Sequence, residues 1–338
     1  MEEYTFALIR DIKKWGGKIN RPISSLYLGG GTPSLLCDLL PSVVLAVKQS
    51  FSLIENAEIT LEMNPGGNCK EILKIAKDCG INRLSIGVQS GDDNELKTLG
   101  RTHTAADTKK LVTAAREKGF DNISLDLMLG LPDSSNETLK KSLDFITNLS
   151  PEHISAYILK IEKNTLFYKM RNSLNFADDD EQANQYIFMC DYLKEKGYSH
   201  YEISNFCKEG KESKHNTLYW KCKEYLGIGA GAHSFISGKR FYYPNDIKAF
   251  TGENEPVFDG IGGTPAEFIM LNLRLKDGLD FSTYKSTFST EIPQGIIEKA
   301  KSLQKHDLLC ITDDNIFLTE KGMLLSNNII STLLEEIE

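Results

Sequence analysis

The triplet Gly29-Gly30-Gly31, followed by Thr32 and Pro33, falls where an extended run gives way to a helical one. Residues without side chains let backbone N–H groups approach a ligand closely, and N–H groups at a helix start suit a carboxylate or a phosphate. No lysine follows at Walker spacing, so this is no nucleotide P-loop, and a tight turn without a ligand stands as an equal alternative. Glu62, Gln89 and Asp126 each fall at the carboxyl end of a predicted strand, the rim on which β/α folds build their sites. Such acceptors suit ribose hydroxyls or the amino group of an amino acid. Arg101, in Leu99-Gly100-Arg101-Thr102-His103, follows Gln89 closely and suits a carboxylate. Singly, each is more often a salt bridge or a cap; together on one rim they point to a site.

Two further constellations lie downstream. Gly227-x-Gly229-x-Gly231 has the outline of a dinucleotide fingerprint, but position 232 is Ala, Trp220–Leu226 is no convincing strand and no βαβ unit surrounds it. A close-packed turn delivering His233 to the barrel mouth fits better. His215-Asn216-Thr217-Leu218-Tyr219-Trp220 puts an imidazole beside two large aromatics, in what reads as a loop. That is a credible axial ligand for haem iron, although a loop histidine is more often a surface residue or a hydrogen-bonding partner.

The elements that must hold these residues follow from periodicity. Strands are predicted at Ser24–Leu28, Glu58–Met63, Arg83–Gln89, Asn122–Met128, His153–Leu159 and Tyr201–Ser204, alternating with amphipathic segments Leu39–Phe51, Glu71–Cys79, Ala105–Lys118, Glu137–Leu149 and Glu181–Lys196. Gly80, Gly119 and Gly197 each end a helix before the next strand. Within the strands, Ile59, Leu61 and Met63 oppose Thr60, Glu62 and Asn64, and the same alternation separates Leu84, Ile86 and Val88 from Arg83, Ser85, Gly87 and Gln89. It recurs in Ile123, Leu125 and Leu127 against Ser124, Asp126 and Met128. A parallel sheet with helices on both faces reads as continuous apolar runs. Here helices cover one face, and the other lines a polar interior.

Composition agrees with one large α/β domain and a small one: 338 residues, 41% hydrophobic and 25% charged. The net charge of −8 argues against nucleic acid as a partner. No transmembrane segment or signal peptide is legible, so a cytoplasmic protein is expected. Seven scattered cysteines, none in a C-x-x-C pair, read as reduced thiols. After residue 205 the β/α rhythm breaks into a Gly- and aromatic-rich stretch. From about Thr264 helices precede Leu308–Ile311, a turn at Asp313–Asn315, Ile316–Leu318 and a last helix, which suggests a winged-helix-like module. The expected domains are residues 1–250 and 251–338.

In order along nearly the whole chain, GGGTPSL (Gly29–Leu35), EMNPG (Glu62–Gly66), NRLSIGVQS (Asn82–Ser90), LGRTH (Leu99–His103), SLDLMLGLP (Ser124–Pro132), YEISNF (Tyr201–Phe206) and HNTLYW (His215–Trp220) resemble radical S-adenosylmethionine proteins related to oxygen-independent coproporphyrinogen III oxidase. HNTLYW resembles the haem-chaperone branch. The resemblance implies a partial (βα)6 radical-SAM-type barrel lacking its first strand, plus the small winged-helix-like domain. It implies that Gly30, Gly31 and Thr32 contact the methionyl part of S-adenosylmethionine, Arg101 its carboxylate, and Glu62, Gln89 and Asp126 its ribose and neighbouring polar groups. Lys160 and His233 fall where the family lines the same pocket, and His215 is implied to contact haem.

The family's C-x3-C-x2-C loop, whose thiolates hold a [4Fe–4S] cluster, does not occur in the sequence. Either the protein starts upstream, the reading favoured, or it is a degenerate homologue with a binding role only; the cluster is expected only with an upstream cysteine segment. The leading expectation is a haem chaperone that passes haem to a haem-requiring acceptor protein. Oxidative decarboxylation of coproporphyrinogen III is the enzymatic alternative, and a nucleic-acid adaptor built on the C-terminal module is a third. A homodimer is left open.

Overall fold

The structure, a computed structural model, describes residues 1–67 and 69–335. Helix α1 (Glu2–Gly16) leads to β1 (Ile23–Leu28), after which helices and strands alternate: α2 (Leu40–Ser50), β2 (Leu53–Met63), α3 (Cys69–Asp78) and β3 (Arg83–Gln89). Next come α4 (Asp93–Thr98), α5 (Ala105–Glu117), β4 (Ile123–Leu129), α6 (Asn136–Asn148) and β5 (His153–Ile158). Then follow α7 (Leu166–Met170), α8 (Asp179–Glu195), β6 (Ser199–Glu202) and β7 (Asn205–Cys207). Helix starts are fixed locally, by reciprocal capping of Thr104 with Asp107 in α5, Ser135 with Thr138 in α6 and Asp178 with Glu181 in α8.

Strands β1 to β5 are parallel neighbours in chain order. Their apolar side chains face the helices: Leu61, Leu84, Ile86, Leu125 and Leu127 are fully buried in the main core with Leu73, Ala115, Leu143 and Met189. Each such side chain contributes about 1.5–3 kcal/mol relative to exposure, which fixes the register that turns the polar set inward. The expected strand Tyr201–Ser204 differs in detail. Strand β6 ends at Glu202 and turns through Ile203 and Ser204 into β7, which inserts antiparallel between β5 and β6. The strand that runs parallel to the first five thus sits one place further out than simple β/α repetition predicts.

The next helix, α9 (Lys214–Trp220), shows that the seven-stranded sheet curls. It reaches β1 at one edge, where Ser25 Oγ meets His215 Nδ1 at 2.8 Å, and β6 near the other, where the Ser213 N–H donates to Tyr201 Oη at 3.2 Å. The sheet is a half-barrel with α9 across its amino-terminal end. Strands β8 (His233–Ile236) and β9 (Lys239–Tyr242), helix α10 (Ile247–Thr251) and β10 (Val257–Ile261) follow; β10 pairs with β9 in a second sheet. This extension seats α1. Trp15 Nε1 donates to Tyr243 Oη at 3.0 Å, the Ala230 N–H to Tyr4 Oη at 3.2 Å, and Arg10 Nη2 to the Phe250 carbonyl at 3.1 Å.

The last segment runs α11 (Pro265–Asn272), β11 (Leu279–Asp280), α12 (Phe281–Phe288), α13 (Gln294–Gln304), β12 (Leu309–Ile311), β13 (Asn315–Leu318), α14 (Glu320–Leu324) and α15 (Ser326–Leu334). Helix, strand, two helices and a hairpin give the winged-helix order. Ile269, Leu273, Ile296, Ile316 and Leu333 form a separate core. No helix among the described residues is long and apolar enough to cross a membrane.

Candidate functional site

The carboxyl ends of β1 to β4 form a cup whose first wall is the glycine turn. Gly30 has φ +110°, a region open to glycine, and its N–H donates to Glu62 Oε2 at 3.1 Å. Glu62 Oε1 accepts the Tyr27 hydroxyl at 2.8 Å. A Cβ on Gly29 would lie 2.5 Å from the Tyr27 ring and 2.9 Å from Glu62, so glycine is required there for packing. Gly30 and Gly31 are exposed, and a Cβ on either would meet nothing within 4 Å. Their backbone faces open space of the kind a ligand can occupy. Thr32 Oγ1 accepts from Asn64 Nδ2 at 3.2 Å, which joins the turn to the end of β2.

The second wall is β3 and β4. Gln89 has φ +72° at an irregularity in the β3–β4 register, and its amide nitrogen and Asn64 Oδ1 both lie within 3.0 Å of where a Gly87 Cβ would be. The bulge thus turns Gln89 toward the β2 end. Asp126 is half-buried, with Ser85 Oγ donating to Oδ1 at 3.4 Å and Ser155 as a further hydrogen-bond partner. Burial pushes its carboxyl up to about 7, against the lowering effect of those hydroxyls and of Arg83. The Arg83 side chain, 2% exposed, lies beneath the cup with Nε unpaired among the described residues. Two carboxylates, an amide and backbone N–H groups thus converge, a donor set that fits a ligand carrying an ammonium group and hydroxyls.

His215 stands at the other end of the half-barrel. The expected loop is in fact helix α9, started by Ser213, whose side chain accepts from the Asn216 N–H, and by Glu58, whose oxygens accept the N–H groups of Lys214 at 3.1 Å and His215 at 3.0 Å. Both His215 ring nitrogens are engaged: Nδ1 with Ser25 Oγ at 2.8 Å and Nε2 with Tyr219 Oη at 2.7 Å. The ring stacks on Tyr27 with centroids 5.0 Å apart. Burial pulls the imidazole down to about 4, so it is neutral at physiological pH. A second line of contacts leaves the same helix start: Tyr201 Oη meets His153 Nε2 at 2.8 Å, and His153 Nδ1 meets Ser124 Oγ at 2.7 Å.

Arg101 lies just beyond β3, held near Gln89 by His103, whose Nε2 is 3.2 Å from the Val88 carbonyl. Arg101 is half-buried, and its guanidinium has no hydrogen-bond or ion-pair partner among the described residues. Lys160 is exposed two residues past β5, and His233 is exposed on β8, stacked on Tyr242. No described contact joins either to the cup. Sequence reasoning missed Tyr27, Ser25, Ser155 and His153, and it placed Asn64 on the inner face without giving it a role. Tyr27 was accessible, since Ser25, Tyr27 and Gly29 alternate as Thr60, Glu62 and Asn64 do.

Among the described residues no three His, Cys, Asp or Glu side chains stand together as metal ligands, and Cys190 and Cys207 are core residues. The thiols among the described residues do not fit a [4Fe–4S] cluster.

Residues 2–146 match the radical SAM superfamily, and residues 265–325 match the HemN C-terminal domain. The chain is 33% identical to the haem chaperone HemW of Bacillus subtilis, an alignment covering 100% of this chain and 92% of that protein. It is 39% identical to the mitochondrial radical S-adenosyl methionine domain-containing protein 1 of Bos taurus, over 94% of this chain and 77% of the relative. Its fold is that of the Escherichia coli coproporphyrinogen III oxidase HemN, with a TM-score of 0.84 at 21% identity, covering 98% of this chain and 82% of that one.

Proposed function

The chain belongs to the HemW-like haem-chaperone family of the radical SAM superfamily, and from that premise we propose that it binds haem through His215 and delivers it to haem-requiring proteins in the cytoplasm. The observation that carries the ligand assignment is the state of His215. Iron takes a neutral imidazole, and burial keeps this one neutral. A hydrogen bond on one ring nitrogen selects which of the two is the ligand. Here Ser25 holds Nδ1, and exchange of the Tyr219 hydroxyl for iron would free Nε2. Tyr219, edge-on to the His215 ring, supplies apolar surface for a macrocycle edge.

In the cup we assign S-adenosylmethionine. Gly30, Gly31 and Thr32 would hold its methionyl part, Arg101 its carboxylate, and Glu62, Gln89 and Asp126 its amino and ribose groups. Lys160 and His233 have weaker support, because no described contact brings them to the cup. When bound, S-adenosylmethionine supplies a sulfonium with activated carbons beside it. The chain's own part is to bind and orient. The carboxylate of Glu62, already fixed by Tyr27 and Gly30, offers its remaining lone pairs to an ammonium group, and Asp126 and Gln89 offer acceptors to hydroxyls.

Soret titration tests the haem assignment. His215→Ala is expected to shift the bound spectrum and weaken haem binding by about tenfold or more, while a spectrum and affinity identical to the parent's would refute the ligand. The coproporphyrinogen-oxidising alternative draws support from the fold likeness and from the match to the HemN C-terminal domain.

A further inference from the structure

Tyr27 touches both ends of the half-barrel, and none of the binding roles assigned above uses it. Its ring lies against that of His215, with 24° between the planes, and its hydroxyl donates to Glu62 Oε1 at 2.8 Å. The other Glu62 oxygen accepts the Gly30 N–H at 3.1 Å. Gly29 leaves room for the ring, since a Cβ there would lie 2.5 Å from it. Three contacts in series therefore lead from the His215 imidazole to the glycine turn.

The His215 end of this series cannot stay fixed when the ring takes a ligand. Its plane is set by Ser25 on Nδ1 and Tyr219 on Nε2, at 2.8 and 2.7 Å. A metal on either nitrogen replaces one of these bonds. The ring is then held by one hydrogen bond and by its face on Tyr27. At the far end, the Glu62 carboxylate has no described hydrogen bonds other than those from Tyr27 and Gly30. A change in the Tyr27 hydroxyl's position is therefore passed to the carboxylate and to the Gly30 N–H.

We propose that Tyr27 is a positioning residue that couples the two ends, so that a ligand on His215 alters the glycine turn and a ligand on the turn alters affinity at His215. The coupling rests on the haem assignment for its ligand. By linkage, the factor by which a ligand on the turn changes affinity at His215 equals the factor by which a ligand on His215 changes affinity at the turn. The second line from α9, through Tyr201, His153 and Ser124 to Ser155, ends beside Asp126 without touching Tyr27, and so provides an internal comparison.

Hydrogen exchange of the full chain, followed on peptides spanning residues 27–35 with and without haem, tests this without requiring any ligand in the cup. Soret titration of the same samples reports haem occupancy. In the parent, saturating haem should change amide exchange at the turn by roughly fivefold or more, the low end of ordinary allosteric coupling. Tyr27→Phe keeps the ring against His215 and removes the hydroxyl, and it should bring the change to within about twofold of none while still binding haem. Tyr27→Leu should do the same. A parent whose turn ignores haem at full Soret occupancy overturns the coupling and leaves the haem assignment standing. So does a Tyr27→Phe protein that responds as the parent does. If Ser124→Ala abolishes the response and Tyr27→Phe does not, the coupling runs by the other line and Tyr27 has no part in it. Absence of any Soret binding by the parent removes the haem assignment and the coupling together.

Discussion

The carboxylate of Glu58 accepts the backbone N–H of His215 at 3.0 Å, although 157 residues separate them in the chain. Glu58 is 5% exposed, and its other oxygen takes the Lys214 N–H. A helix of seven residues, Lys214–Trp220, owes its start to a side chain on a distant strand.

Replacing that side chain should therefore loosen α9 before anything else. Glu58→Ala leaves two amides unpaired, at a cost of about 1–3 kcal/mol, whereas Glu58→Gln keeps one acceptor oxygen and should cost less. Thermal unfolding gives the totals, and exchange of the 214–220 amides shows where they arise. Equal stability of Glu58→Ala and the parent would contradict the capping role.

The glycine turn offers a contrast between neighbours. Gly29→Ala drives a Cβ into the Tyr27 ring at 2.5 Å and should destabilise by about 1–3 kcal/mol through overpacking. Gly31→Ala meets nothing within 4 Å and should leave the melting temperature almost unchanged. Its effect should appear in equilibrium dialysis with S-adenosylmethionine, as weaker binding. A destabilised Gly31→Ala, or a Gly29→Ala as stable as the parent, would reverse the assignment.

Asp126 gives a pH-dependent prediction. Its folded-state carboxyl titrates at about 7, above the ordinary carboxylate near 4, because of burial. A raised folded value means the native state holds a proton that the unfolded chain has lost. Stability from this group is thus fully present below about pH 4 and is lost as pH rises toward 7. Asp126→Asn removes the titration, so the variant should gain on the parent across that window. The gain is on the order of 2 kcal/mol at pH 8, discounted for solvent at the mouth of the cup. Denaturant melts of both proteins at pH 5 and pH 8 decide it, and stability differences that match at the two pH values would contradict it.

Alternation was enough to read the sheet. Thr60 and Glu62, Arg83, Ser85 and Gln89, and Ser124 and Asp126 do line the inner face, because the apolar residues between them have only the helices to pack against. Gly80, Gly119 and Gly197 take φ of +85°, +76° and +80° after their helices, as their placement implied. The insertion of β7 was not legible. Its turn, Ile203-Ser204, carries none of the glycine or asparagine that marks a tight hairpin. The sequence of helix α9 reads as a loop because Asn216, Thr217, Tyr219 and Trp220 are middling helix formers and the decisive acceptor, Glu58, is remote. The cup's backbone turn and carboxylates were visible as residue types. Alternation puts Tyr27 on the inner face, but its pairing with Glu62, like that of Ser155 with Asp126, follows from register between strands, which no single strand encodes.

The seating of α1 has a consequence for the order of assembly. Tyr4, Arg10 and Trp15 find their partners at Ala230, Phe250 and Tyr243, more than two hundred residues later. Contacts of such sequence separation form slowly, because a long loop must close before they repay the entropy lost. During synthesis α1 can meet α2 soon after both emerge, yet it cannot take its seat on the late extension until the chain beyond Tyr243 is made. Ile9, Ile12 and Trp15 can pack on Val43, Val47 and Phe51 as soon as α2 is made, but the side with Tyr4, Ala7 and Leu8 stays uncovered until Tyr243 and Phe250 follow, which makes that side a natural binding point for a chaperone on the nascent chain.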